Sequence, residues 1–102
     1  MEQISVNEFS KVKSEDVFLL DVRTIEEFAY VNIGGVNIPL DEIRGRLAEI
    51  PKENTIYCLC HHGVRSQHAQ FFLKSHGYEN VFNIEGGIDA WSHLVDPSII
   101  TY

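Results

Sequence analysis

Positive charge is scarce in this sequence. Eight Lys and Arg residues face 15 Asp and Glu, giving a formal net charge of −7 at pH 7. A surface built for a phosphate backbone needs the opposite balance, so nucleic acid is not expected as a partner. Apolar runs of bilayer-spanning length are missing as well, and the opening MEQISVNEF lacks the basic region and apolar core of a secretory signal. A cytoplasmic protein with no membrane partner is the expectation. Repeats, low-complexity tracts and linkers are absent, and 102 residues leave room for one core, so a single domain is expected over residues 1–102. Cysteine is nearly absent. The two present, Cys58 and Cys60, are one residue apart, and a bridge between them would close almost no loop. In a reducing compartment both are thiols.

The composition that remains, 44% hydrophobic and 23% charged, is that of a globular domain. Its segments alternate in character. VFLLDV (17–22) is a continuous apolar run expected of a strand covered on both faces. Thr24 is placed to cap a helix over 24–29, with Glu26 and Glu27 in the first turn. Val36 to Ile38 reads as a short strand ended by Pro39, and Asp41 as the cap of a helix through Ile50, weakened by Gly45. TIYCLC (55–60) is a second buried strand. After the loop HHGVR comes a helix in which Ala69, Phe72, Leu73 and His76 share one face, stopped by Gly77. VFNI (81–84) is a third strand, Gly86 and Gly87 form a turn, and Ile88 to His93 a short helix carrying Trp91. Strands alternating with helices define an α/β domain with a mostly parallel sheet, in which ligands bind beyond the carboxyl ends of the strands. Cys60 stands at one such end.

The stretch CLCHHGVRS (58–66) concentrates the reactive side chains. A loop between a strand and a helix turns successive backbone N–H groups toward a common centre, and the helix dipole adds partial positive charge there. Gly63 can supply the positive φ such a cradle needs, and Arg65 a planar fork of donors suited to oxyanions. A thiol in this setting ionises more readily than a free one. The competing reading is a metal site. Cys58, Cys60, His61 and His62 are suitable ligand types, but four ligands within five residues, partly on a strand, cannot all turn to one tetrahedral centre. No metal and no cofactor are expected. Cys58 reads as a small core residue, and His61 and His62 either shape the loop or line the pocket.

Four segments, in this order, resemble the rhodanese family of single-domain sulfurtransferases: LLDVRTIEEF (19–28), IGGVNIPL (33–40), CHHGVRS (60–66) and IEGGIDAW (84–91). The resemblance runs from about Ile4 onward. It implies a rhodanese-like α/β fold, a central mostly parallel sheet with helices on both faces, and a ping-pong sulfur transfer. Cys60 would take sulfane sulfur from a small donor such as thiosulfate, hold it as a persulfide, and pass it to a thiol, to cyanide or to a sulfur-accepting carrier protein. His61, His62, Gly63, Val64, Arg65 and Ser66 would form the active-site loop that binds the anion or persulfide, the first four supplying cradle N–H groups and Arg65 closing the loop. Asp21, Arg23 and Glu27 match family positions and read as an ion-pair network at the strand ends. Gly86 and Gly87 would let their segment approach the loop, and Trp91 would pack in the core or pocket wall.

Four residues separate Cys60 from Arg65. Phosphatases and arsenate reductases of similar fold have a loop one residue longer, with room for a tetrahedral oxyanion, so neither activity is expected. The chain departs from the family pattern at Val31-Asn32-Ile33, where many members read Gly-His-Ile, which affects the pocket rim rather than the fold. The alternative to an enzyme is a carrier or binding module of the same fold that needs a partner to discharge its sulfur.

Overall fold

The computed structural model describes residues 2–14 and 16–102. Five strands form one sheet: β1 (Gln3–Ile4), β2 (Phe18–Asp21), β3 (Val36–Asn37), β4 (Ile56–Leu59) and β5 (Val81–Ile84). Their order is β1-β5-β4-β2-β3, and all four neighbouring pairs are parallel. The expectation of an α/β fold with a mostly parallel sheet holds. β4 lies in the middle, flanked by β2 and β5, so its side chains are covered on both faces and its run of apolar residues follows.

Among the described residues there are four α-helices, α1 (Val6–Val12), α2 (Ile25–Tyr30), α3 (Val64–Ser75) and α4 (Gly87–Leu94), of which α1, α3 and α4 pack on the sheet. One core packs Ala69 and Leu73 of α3 with Ile43 on a face of the sheet that presents Leu20, Ile56, Cys58 and Val81. The other packs Val6 and Phe9 of α1 with Ile88 and Trp91 of α4 against Leu19, Leu59 and Ile84. Trp91 is therefore a core residue, edge-on to Phe9 at 5.9 Å. Alternate residues of β2 and β4 feed opposite cores, which is the period of two expected of strands.

The segment 2–12 carries two elements that apolar periodicity does not announce. β1 is two residues long, and α1 is signalled by its cap alone: Ser5 Oγ accepts from the Glu8 N–H while the Glu8 carboxylate accepts from the Ser5 N–H. Thr24 and Glu27 make the same reciprocal cap on α2. The helix expected from Asp41 to Ile50 is replaced by 3₁₀ turns over Leu40–Glu49, entered through Pro39 with no side-chain cap. They break at Arg46 (φ −127°, ψ 23°), next to Gly45. Arg46 bonds Glu42 and Glu49 across the break, which ties single turns together where no continuous helical ladder runs.

The buried face of α3 also differs from the apolar pattern. It consists of Ser66, Ala69, Gln70 and Leu73, with Phe72 only partly buried and His76 exposed. Gln70 is tolerated inside because its Nε2 donates to the carbonyl oxygens of Val81, at 2.9 Å, and Glu2. His76 sits at the helix end, its ring nitrogen 2.9 Å from the Phe72 carbonyl oxygen.

Candidate active site

Cys60 follows β4 directly and is the first residue of the loop into α3. Its side chain points down into the molecule and the residue is 1% exposed. Gly63 takes φ +102°, a conformation that glycine adopts without strain, and its N–H donates to Cys60 Sγ at 3.0 Å. The loop carbonyls face away from the sulfur. Those of Cys60 and His61 accept from the N–H groups of Ile88, at 2.9 Å, and Asp89, at 3.1 Å, in the first turn of α4. That of Gly63 accepts from Asn83 Nδ2 at 3.1 Å. Turning carbonyls outward leaves the N–H side of the loop facing inward, the arrangement that favours negative charge.

Close approach of α4 makes these bonds possible. Gly87 has φ +61°, and a β-carbon there would collide with the carbonyl groups of Cys60 and His61. Gly86, at φ +78°, precedes it as the cap residue of α4. Gly87 thus permits the contact between α4 and the Cys60 loop, while a β-carbon on Gly86 would collide with Ala90 within the helix.

Arg65 turns its fork away from the sulfur. Nη1 and Nη2 donate to the two carboxylate oxygens of Glu27 at 2.6 and 2.9 Å, which ties the start of α3 to α2. Glu27 Oε2 also accepts from the Tyr102 hydroxyl at 2.8 Å, and that hydroxyl accepts from Arg23 Nη1 at 3.0 Å. Asp21 and Arg23 form a fully buried pair: Nε and Nη2 of Arg23 lie 2.9 and 2.7 Å from the Asp21 oxygens, and Nη2 reaches the Val31 carbonyl at 2.8 Å. Burial opposes the charge on Arg23, but its bonds to Asp21 and Tyr102 outweigh this and raise its pKa. A cleft of about 410 Å³ opens beside Arg65, lined by Val22, Thr24, Pro39, Leu40 and Asp41.

The bidentate bond from Arg65 holds the Glu27 carboxyl well below the usual carboxylate range. A depressed carboxylate contributes stability that is present above its unfolded pKa of about 4.3 and is lost as pH falls through the folded value. Acid is therefore expected to loosen the clamp between α2 and the loop. In Glu27→Gln, the stability lost between neutral pH and strong acid should be smaller than in the parent. Urea unfolding at stepped pH checks this, and parallel pH curves for the two proteins would contradict it.

His61 is stacked between two rings: Tyr102 at 3.8 Å and 7°, and His62 at 3.8 Å and 30°. Burial first, then the neighbouring His62, lowers the pKa of His61. His62 is exposed, with Nε2 4.0 Å from Asp89 Oδ2. His61, His62 and Asp89 bring one potential metal ligand each within 4.8 Å of one another. The stacked rings do not suit a shared ion, because imidazole lone pairs lie in the ring planes and those of nearly parallel rings run side by side. Cys58 is fully buried in the sheet, and burial, reinforced by Cys60, pushes its thiol pKa up, which makes it an inert core residue.

Two site residues escape sequence reasoning. Asn83 lies within the VFNI strand, where a lone polar residue signals only that something satisfies it. Tyr102 lies at the far end of the sequence, and no local pattern links it to His61 or Glu27.

A buried cysteine directly after the central strand of a parallel sheet, bonded by a glycine N–H and backed by outward-turned carbonyls, places the chain among α/β proteins with a cysteine-bearing loop between strand and helix. Comparison with known proteins makes the assignment specific: residues 5–94 match the rhodanese-like domain, and the chain belongs to that family. It is similar to a sulfurtransferase of Allochromatium vinosum, with 40% identity over 78% of this chain and 75% of that protein. It also resembles the adenylyltransferase and sulfurtransferase uba4 of Ogataea parapolymorpha, with 37% identity over 99% of this chain. The chain spans only 26% of that longer relative. The crystal structure of a rhodanese-like domain protein from Staphylococcus aureus superposes with a TM-score of 0.84, covering 100% of this chain and 99% of that one at 31% identity. Among the described residues, no helix is long and apolar enough to cross a membrane.

Proposed function

We propose that this protein is a sulfurtransferase whose Cys60 carries sulfane sulfur between a small donor and a nucleophilic acceptor. The observation that carries this reading is the seat of Cys60 Sγ, 3.0 Å from the Gly63 N–H in a loop whose carbonyls face outward. With thiosulfate as donor, the Cys60 thiolate attacks the outer sulfur. A bond forms between Sγ and that sulfur, the sulfur–sulfur bond of thiosulfate breaks, and sulfite leaves with the electron pair. Cyanide or a thiolate then attacks the outer sulfur of the persulfide, takes it as thiocyanate or a new persulfide, and returns Cys60 as thiolate. No step needs a metal or a cofactor. A reducing compartment such as the cytoplasm would keep both thiols free.

The site favours sulfur over phosphate. The loop has four residues between Cys60 and Arg65, and both ends of the Arg65 fork are bound to Glu27 rather than open to an oxyanion. A specific observation also supports a second reading, a partner-dependent sulfur carrier. Cys60 is 1% exposed, so a docking protein that opens the loop would control access to it.

Intact-protein mass after incubation with thiosulfate tests both. The expected result is a gain of one sulfur atom, reversed by cyanide. Many turnovers with small donors mark the enzyme, and a single loading that discharges slowly marks the carrier. No gain, with Cys60 shown to be reduced, would overturn the use of thiosulfate as donor.

A further inference from the structure

Ser66 lies in the first turn of α3, fully buried, with Oγ 3.3 Å from Cys60 Sγ. A serine hydroxyl has one proton to give. Here it goes to Oδ1 of Asn83, a buried residue of β5, in a short hydrogen bond. Asn83 cannot turn its amide round to release that proton. Its two Nδ2 hydrogens are placed on the Gly63 carbonyl oxygen and on Gln3 Oε1, each at 3.1 Å. A backbone carbonyl can only accept, so the amide nitrogen faces Gly63 and the amide oxygen faces Ser66. Ser66 therefore presents only lone pairs to Cys60.

An oxygen in that state accepts from a thiol and has nothing to offer a thiolate. The Gly63 N–H acts in the opposite direction, since it favours the charged sulfur. Among the described residues no other hydrogen bond to Sγ is formed. The surrounding titratable and charged groups are Cys58 on β4, whose thiol is held neutral by burial, His61 and His62 in the loop, and Asp89 on α4 beside His62. Arg65 on α3 is bound to Glu27 of α2, and Asp21 at the end of β2 to Arg23. None of these replaces Ser66 at the sulfur.

We propose that Ser66 and Asn83 act as a proton hold on Cys60, a pair of positioning residues that keep the resting nucleophile as a thiol and lower its reactivity toward electrophiles. Asn83 acts only through Ser66, by fixing the direction in which the hydroxyl points. To stabilise a thiolate, Ser66 would have to swing its O–H to the sulfur and leave the Asn83 oxygen bare in a buried site. The pair thus sets a threshold that the Gly63 N–H and an arriving donor must overcome.

The test is the pH profile of Cys60 alkylation by iodoacetamide, followed by intact mass. It uses no sulfur donor and so stands apart from the sulfurtransferase reading. In Ser66→Ala the thiol loses its acceptor, and alkylation on the rising limb should be about threefold to tenfold faster, the weight of one hydrogen bond. The midpoint of the profile should move to lower pH. In Asn83→Ala the freed Ser66 proton can turn to the sulfur, and alkylation should be faster again. The double variant should fall back to the Ser66→Ala rate. A Ser66→Ala rate that is slower or unchanged would overturn the proposal, because it would make Ser66 a donor to the thiolate or a bystander. Additive effects in the double variant would overturn the role of Asn83. Should Asn83→Ala not fold, the sign of the Ser66→Ala change decides alone.

Discussion

Cys60→Ser is expected to lower sulfur transfer by on the order of a thousandfold or more, to the background rate, while the fold stays intact. A hydroxyl at this position cannot hold sulfane sulfur as a persulfide, and no second thiol can take over. Cys58 is two residues back on the central strand, fully buried, with its thiol held neutral. Stability should change little, because the smaller hydroxyl still finds the Gly63 N–H and Ser66 as partners. Transfer assays with thiosulfate and cyanide, beside thermal melts, check both halves. Residual transfer at a tenth of the parent rate would place the sulfur elsewhere.

Arg23→Met should be the most destabilising single change at the strand ends. It strands the Asp21 carboxylate, whose side chain is fully buried with Arg23 as its ion-pair partner. Removing one member of a buried pair costs about 3–5 kcal/mol. At about 4–8 °C per kcal/mol for a domain of this size, the melting temperature should drop by at least about 12 °C. Asp21→Asn combined with Arg23→Met should recover part of the loss, since no charge is then stranded. The activity of whatever remains folded should fall too, because Arg23 supports Tyr102 and, through it, the Glu27 carboxylate that holds Arg65. Urea unfolding of the single and double variants measures this. A single-variant loss below about 1 kcal/mol would show that water reaches Asp21 and that the pair behaves as a surface one.

Much of this architecture is legible in the sequence. The runs 17–22, 55–60 and 81–84 contain β2, β4 and β5, because strands covered on both faces must be apolar throughout. The cap at Thr24 locates the start of α2, which runs one residue past the expected end to Tyr30. The loop announces itself through residue types that make little sense apart from one another. What stays illegible depends on tertiary structure. β1 is two residues long and exists only because β5 offers an edge to pair with, whereas β3, expected over 36–38, forms at Val36–Asn37. The 3₁₀ turns at 40–49 keep the apolar spacing of a helix, which hides the break at Arg46. The direction of the Arg65 fork, the proton of Ser66 and the stacking of His61 depend on Glu27, Asn83 and Tyr102, which lie far from them along the sequence, and no local pattern holds both ends.

The strand order also governs the timing of assembly during synthesis. Residues 3–4 can pair only with residues 83–84, and β4 gains its second neighbour only when β5 emerges. The carbonyls of Cys60 and His61 wait for the start of α4, and that of Gly63 waits for Asn83. A nascent chain that has already exposed Cys60 to the ribosome tunnel exit therefore has no cradle around its thiol. The cradle closes only once the start of α4 has been made, when long-range pairing becomes possible. A chain interrupted before α4 lacks these contacts, so the loop around Cys60 takes its form only with that helix in place.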